Sequence, residues 1–247
     1  MKKIAFYGKG GVGKSTTASN VSVALSESGL KVIQIGCDPK GDSTLGLRGG
    51  KKIQSVLSAI SSKGGDVRLD DIVFEGYSGV LCVESGGPKP GSGCAGKGII
   101  TAFDRLESLG AYREYNPDVV LFDVLGDVVC GGFAMPIRRG YSDDVYIVTS
   151  GEMMSLYAAN NISEAVRSFS GRGYAELKGL IYNPKGADGE DDAVEKASAE
   201  IGTQVAFRLE RDPLVREAEK AGKTAMEMYP DSRISGLYRA LAAKVRG

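Results

Sequence analysis

Histidine is absent from the 247 residues, which removes the nitrogen ligand on which most zinc centres depend. Net charge is absent as well: 31 lysines and arginines balance 31 aspartates and glutamates. No global cationic field draws in nucleic acid or an acidic membrane, and any polyanion must be bound locally. No apolar run approaches the ~18 residues of a membrane span, because Asp118, Asp123 and Asp127 interrupt the most hydrophobic stretch. The opening MKKIAFYG reads as a strand rather than a signal peptide, so a cytosolic protein is expected. Cysteine is scarce, and four thiols in that compartment are expected to be reduced and open to metal rather than paired. With 42% hydrophobic and 25% charged residues, disorder and a disulfide miniprotein are excluded, and one domain over residues 1–247 is expected. Glycine is abundant instead, with 35 of 247 residues, about 14%. Such a chain needs many positive φ angles or close backbone approaches of the kind that phosphates and clusters demand.

Short apolar runs alternate with longer helical ones. Lys3–Tyr7, Lys31–Ile35, Val80–Val83, Val119–Phe122, Val145–Val148 and Leu180–Tyr182 read as strands. Ser15–Ser28, closed by Gly29, has helical spacing, as do segments near 53–61, 98–109, 155–169, 191–200, 213–222 and 233–246. The alternation predicts an α/β fold with a mainly parallel sheet flanked by helices on both faces. The acidic, glycine-containing run Gly186–Asp192 reads as a solvated loop.

Between the first strand and first helix lies Gly8-Lys9-Gly10-Gly11-Val12-Gly13-Lys14-Ser15, which matches G-x-x-x-x-G-K-S/T in the strand–loop–helix context that the motif requires. Backbone amides of such a loop cradle the β-phosphate at a helix N-terminus, Lys14 neutralises β/γ charge, and the Ser15 hydroxyl ligates Mg²⁺. Thr16 continues the phosphate-binding segment. Lys9, the extra lysine after the first glycine, resembles the signature lysine of dimeric P-loop ATPases of the deviant Walker A class, which implies a sandwich dimer in which it reaches the partner's nucleotide. Two further strands end in aspartate: Gly36-Cys37-Asp38-Pro39-Lys40-Gly41-Asp42-Ser43-Thr44 follows the second, and Asp123-Val124-Leu125-Gly126-Asp127 follows the run at 119–122. A carboxylate there sits near Mg²⁺ through water, and Asp-x-x-Gly lets a loop move when the γ-phosphate leaves.

Cys94 (GSGCAG) and Cys130 (VVCGG) are embedded in glycine, whose amides can point at sulfur and stabilise a cluster's negative charge, whereas Cys37 and Cys82 lack that setting. A [4Fe–4S] cluster needs four thiolates. One chain offers two suitable ones, and a twofold dimer would complete the set; buried apolar cysteines are the alternative.

The stretches Tyr7–Thr17, Gly36–Thr44, CVESGGP from Cys82, GCAG from Gly93, DVLGDVVCGGFAMPIR from Asp123 and SGEMMSLYAANNI from Ser150 resemble the nitrogenase iron-protein superfamily, and likeness continues at Gly202–Gln204 and Tyr238–Ala242. The resemblance implies a P-loop homodimer that hydrolyses MgATP and holds one [4Fe–4S] cluster at the subunit interface through Cys94 and Cys130. It implies nucleotide switches at Asp38, Lys40, Asp42 and Asp127, and places Asn183, Arg211 and Asp212 near adenine. Lys9, Lys14, Asp38 and Asp127 are then the candidates for catalysis, with Asp123 among the nucleotide contacts. A ferredoxin or flavodoxin would supply electrons, and a catalytic metalloenzyme would accept them. The sequence departs from the family at Lys97, where the relatives carry arginine, at Lys89, where an acid is common, and after Arg138; it also ends at Gly247 without the extended tail of many members. These departures suggest a different acceptor, such as an enzyme reducing a tetrapyrrole or a carbon–sulfur bond. A partition or positioning ATPase without redox function is the alternative reading, weakened by neutral charge and by the lack of an evident basic amphipathic C-terminal helix.

Overall fold

Every second residue of the first strand faces one of two cores. In β1 (Lys2–Tyr7), Ile4 and Phe6 enter one apolar cluster and Ala5 and Tyr7 the other, all fully buried. A strand buried on both faces belongs at the centre of a helix-covered parallel sheet. The computed structural model describes residues 1–87, 95–126, 135–138, 141–169 and 174–247. In chain order its elements are β1, α1 (Lys14–Glu27), β2 (Val32–Gly36), α2 (Val56–Lys63), β3 (Phe74–Glu75), β4 (Leu81–Glu84), α3 (Ala95–Ser108), α4 (Ala111–Tyr115) and β5 (Val119–Asp123). They continue with α5 (Met135–Arg138), β6 (Asp144–Thr149), α6 (Met153–Phe169), β7 (Glu176–Tyr182), α7 (Glu190–Ile201), β8 (Val205–Arg208), α8 (Pro213–Lys220), α9 (Ala225–Met228) and α10 (Arg233–Arg246).

The eight strands form one sheet in the order β3-β4-β2-β5-β1-β6-β7-β8, parallel except for the β3–β4 pair. Helices α1 and α10 cover one face, where Val21, Leu25, Tyr238 and Leu241 meet Ile4 and Phe6. On the other face α2, α3 and α6 bring Ala59, Phe103 and Ile162 against Ile35 and Phe122. Phe103 stacks at a tilt between Phe122 (5.2 Å) and Tyr141 (4.9 Å), an arrangement that favours aromatic pairs beyond their buried area. Gly29, at φ +89°, ends the first helix as its sequence position suggests.

In register, Gly36 of β2 lies between Asp123 of β5 and Glu84 of β4, while Asp123 also faces Phe6 of β1. Four neighbouring strands thus deliver their carboxyl ends to one edge, where open α/β sheets bind ligands. The sequence reading misses β3, β8, α4, α5 and α9. Val205–Arg208 is an outer strand, only partly buried, and so lacks the apolar run that marks its inner neighbours. The Gly186–Asp192 segment differs from the expected loop: α7 begins at Glu190, which is buried because its carboxylate accepts the amides of Lys185 (3.1 Å) and Gly186 (2.7 Å).

Candidate functional site

The phosphate loop is shaped by what its glycines cannot carry. At Gly8 (φ +150°) a Cβ would lie 2.2 Å from the Val148 carbonyl oxygen, and at Gly13 (φ +90°) 2.4 Å from Asn183 Nδ2. Helix α1 starts directly after Gly13 with no acidic residue and no capping side chain in its first turn, leaving its amides free for an anion. The loop is braced from β7 and its exit: Asn183 Nδ2 donates to Val12 O (2.7 Å), and Lys185 Nζ to Gly11 O (3.1 Å).

Lys14 is nearly buried, and its Nζ lies 2.7 Å from Asp123 Oδ1, with side-chain exposures of 8% and 2%. Two charges this deep persist because each neutralises the other. The residues after Asp123 return to the loop. Val124 N donates to Phe6 O (2.9 Å), and a Cβ on Gly126 would stand 2.0 Å from Gly8 O. Glycine is therefore required where the Asp123 segment touches the phosphate loop.

A cavity of about 260 Å³ is lined by Lys9, Gly10, Gly11, Gly13, Lys14, Ser15, Thr16, Asp38, Lys40 and Asp42, with Leu125 and Glu219. A second cavity of about 650 Å³ shares Gly11, Gly13, Thr16 and Glu219 with it and continues along Asn183, Lys185, Arg211, Asp212 and Tyr238. The fold thus joins a phosphate-sized hollow to a larger one bounded by the residues predicted near adenine, within the size range of ligand sites. Asp38 folds its own loop, its Oδ1 accepting from Lys40 N (2.9 Å). Arg211 donates to Lys185 O (2.7 Å), and Asp212 caps α8 by accepting from Leu214 N (2.9 Å). Both shape the wall through local bonds. Asp127, Cys94, Cys130 and Lys89 lie outside the described residues; Lys97 is exposed on the first turn of α3.

Cys37 and Cys82 are buried in the two apolar clusters. Burial pushes Cys82 up to about 12 and, with Asp123 adding, Cys37 higher still. Both are neutral thiols, unsuited to a cluster that binds thiolate.

Sequence reasoning misses three groups. Lys185 and Glu219 carry no motif; Glu219 accepts from the Thr16 hydroxyl. Glu84 is fully buried, and its Oε1 accepts from both Thr44 N (2.8 Å) and Thr44 Oγ1 (2.7 Å), while Oε2 has no partner among the described residues. Burial, opposed by the Thr44 hydrogen bonds but aided by the acids Asp123 and Asp42, pushes its carboxyl up to about 7. Its only mark in the sequence is a charge ending an apolar strand, the pattern also seen at Asp123.

A protein-family model described as 4Fe-4S iron sulfur cluster binding proteins, NifH/frxC family, matches residues 2–247. The chain belongs to this family. It is 51% identical to the nitrogenase iron protein of Methanospirillum hungatei JF-1 and 47% identical to nitrogenase iron protein 2 of Methanothermococcus thermolithotrophicus, each match covering 99% of this chain and 88% of the relative. In fold it is similar to the septum site-determining protein MinD of Pyrococcus horikoshii OT3, solved with Mg-ADP, at a TM-score of 0.75 and 23% identity over 99% of this chain and 95% of that one. Membership makes the chain an iron–sulfur protein with a nucleotide loop, in agreement with the cofactors expected from its sequence.

Two outcomes follow from these contacts. Lys14→Ala should abolish MgATP binding and also destabilise the nucleotide-free protein by about 3–5 kcal/mol, because Asp123 is left buried without its cation; isothermal titration and chemical denaturation check both, and a variant that still binds MgATP contradicts the assignment. Glu84, raised from 4.5 to about 7, makes the folded state bind its proton more tightly than the unfolded chain. Its contribution is fully present below the ordinary carboxylate range and is lost as pH rises toward 7, on the order of 3 kcal/mol. Denaturation at pH 5 and pH 8 should therefore show a fall that Glu84→Gln flattens; identical pH slopes for the two proteins contradict it.

Proposed function

We propose that the protein is a homodimeric, ATP-dependent reductase that passes single electrons to a nitrogenase or nitrogenase-like catalytic partner. The observation that carries this reading is the family match over the whole chain at about half identity to nitrogenase iron proteins, coinciding with an intact phosphate loop. The glycine cradle, which a Cβ at Gly8 or Gly13 would fill, suits a nucleotide phosphate, so Gly8–Thr16 would hold MgATP. Ser15 would ligate the metal, Asp38, Asp42, Asp123 and Asp127 would stand around it, and Asn183, Arg211 and Asp212 would border the base. Lys14 would move from Asp123 toward the β/γ-phosphates, and Lys9, half-exposed, would reach the neighbouring subunit's nucleotide.

A [4Fe–4S] cluster supplies a one-electron couple when bound. Since Cys37 and Cys82 are buried neutral thiols, Cys94 and Cys130 are the cysteines of this chain suited to hold it, two from each subunit. Met153, Met154 and Tyr157, exposed at 82%, 57% and 61% on the first turns of α6, supply an apolar patch fit for the subunit interface. No described helix is long and apolar enough to cross a membrane, and the reading places the reaction in the cytosol, with a ferredoxin or flavodoxin as donor. Lys97, exposed beside Cys94 in sequence, gives the docking face a positive charge and favours a partner of matching acidity, an acceptor of the nitrogenase-like kind.

Iron content tests this directly. Anaerobically purified protein should be brown and hold about four irons per dimer; Cys94→Ser or Cys130→Ser should eliminate them, and Cys37→Ser and Cys82→Ser should not. Iron-free protein that still cycles ATP would favour the positioning-ATPase reading instead.

A further inference from the structure

The segment Asp38–Asp42 is anchored at one end by buried polar groups. Ser43 O accepts from Ser19 Oγ (3.1 Å) of α1 and from Gln34 Nε2 (3.1 Å) of β2, and Thr44 is held by Glu84 through both its amide and its hydroxyl. The positions before this anchor, Asp38 to Asp42, are half-buried or exposed, while Ser43 and Thr44 are buried. The anchored end of the segment is therefore Ser43 and Thr44.

The strand that supplies Glu84 also leads toward Cys94, ten positions further on. Its exit is pinned to the sheet where Ser85 N donates to Gly36 O (2.8 Å) and Ser85 O accepts from Leu57 N (3.2 Å). Two residues later Gly87 lies against Pro39 so closely that a Cβ there would stand 2.4 Å from Pro39 Cβ. Glu84 fits beside β2 because position 36 is glycine, a Cβ there standing 2.0 Å from its Oε2. The same four-residue stretch thus grips the residue beyond the loop's far end through Glu84 and touches its start, at Pro39, through Gly87.

We propose that Glu84 is a positioning residue of the nucleotide switch, holding Thr44 as the hinge of the Asp38–Asp42 loop so that the Pro39–Gly87 contact passes the loop's displacement into the segment leading to Cys94. The inference rests on the nucleotide site described above. Glu84 touches neither phosphate nor metal; it sets how strongly a γ-phosphate is felt by the loop. Hydrogen bonds to a charged or polar acceptor of this kind carry about tenfold in an equilibrium.

The test uses the intact anaerobic dimer, with MgADP and a non-hydrolysable ATP analogue as probes, and amide exchange of the peptide spanning Ser85–Gly87 as the second readout. Wild-type protein should bind both probes and change exchange at Ser85–Gly87 only with the triphosphate; failure to bind either probe overturns the nucleotide reading itself. Glu84→Ala should leave the MgADP Kd within about twofold while weakening the triphosphate about tenfold and erasing the exchange response. Glu84→Gln, which keeps the acceptor for Thr44, should restore both. Gly87→Ala leaves the Glu84 hydrogen bonds in place and should keep triphosphate binding but blunt the exchange response, an arm independent of whether Glu84→Ala folds. Equal loss of both nucleotides in Glu84→Ala, or an unaltered exchange response in Gly87→Ala, overturns the proposal.

Discussion

The ion pair between Lys14 and Asp123 is the constraint around which the site is built. A buried ammonium and a buried carboxylate at 2.7 Å satisfy each other only while nothing more attractive arrives, and the phosphates of MgATP are the more attractive anion. On the proposed function, occupation of the loop would release Asp123, at the end of the strand whose continuation in sequence leads through Gly126 to Asp127 and Cys130. Gly126 packs so closely on Gly8 that a Cβ there would stand 2.0 Å from Gly8 O, which puts the segment after Asp123 in direct contact with the phosphate loop.

Two buried acids flank Gly36 at this edge, and they differ in their partners. Asp123 has Lys14; among the described residues Glu84 has the amide and hydroxyl of Thr44. Burial without a cation pushes the carboxyl of Glu84 toward its neutral form. The nucleotide side of the sheet carries buried polar groups such as Gln34, Thr44, Glu84 and Asp123, while both faces behind it are aliphatic and aromatic.

Much of this arrangement was legible before any coordinates. Gly8–Ser15 between a strand and a helix identifies the phosphate loop, and apolar strands ending in aspartate place Asp38 and Asp123 beside it. What pattern alone could not supply is lateral register. Nothing in the residues around Glu84 says that Gly36 will separate it from Asp123, nor that Pro39 will rest on Gly87; those are contacts between strands distant in sequence. Glu190 was hidden for a related reason, since an acidic run reads as solvated until its carboxylate is seen capping two amides. The outer strand β8 is only partly buried and ends in Arg208, so it lacks the apolar run that marks its inner neighbours. Cys94 and Cys130, by contrast, are distinguished by their glycine-rich surroundings in the sequence and by the burial of the other two cysteines.

If nucleotide and cluster share one mechanical path, they must share one free energy. Anaerobic redox titration of the cluster with and without MgATP tests that claim most directly. A hundredfold preference of MgATP for the oxidised state lowers the one-electron midpoint by about 120 mV, and oxidation must tighten MgATP by the same factor. The account predicts a negative shift with nucleotide, diminished in Asp127→Asn. Identical midpoints with and without nucleotide would contradict it.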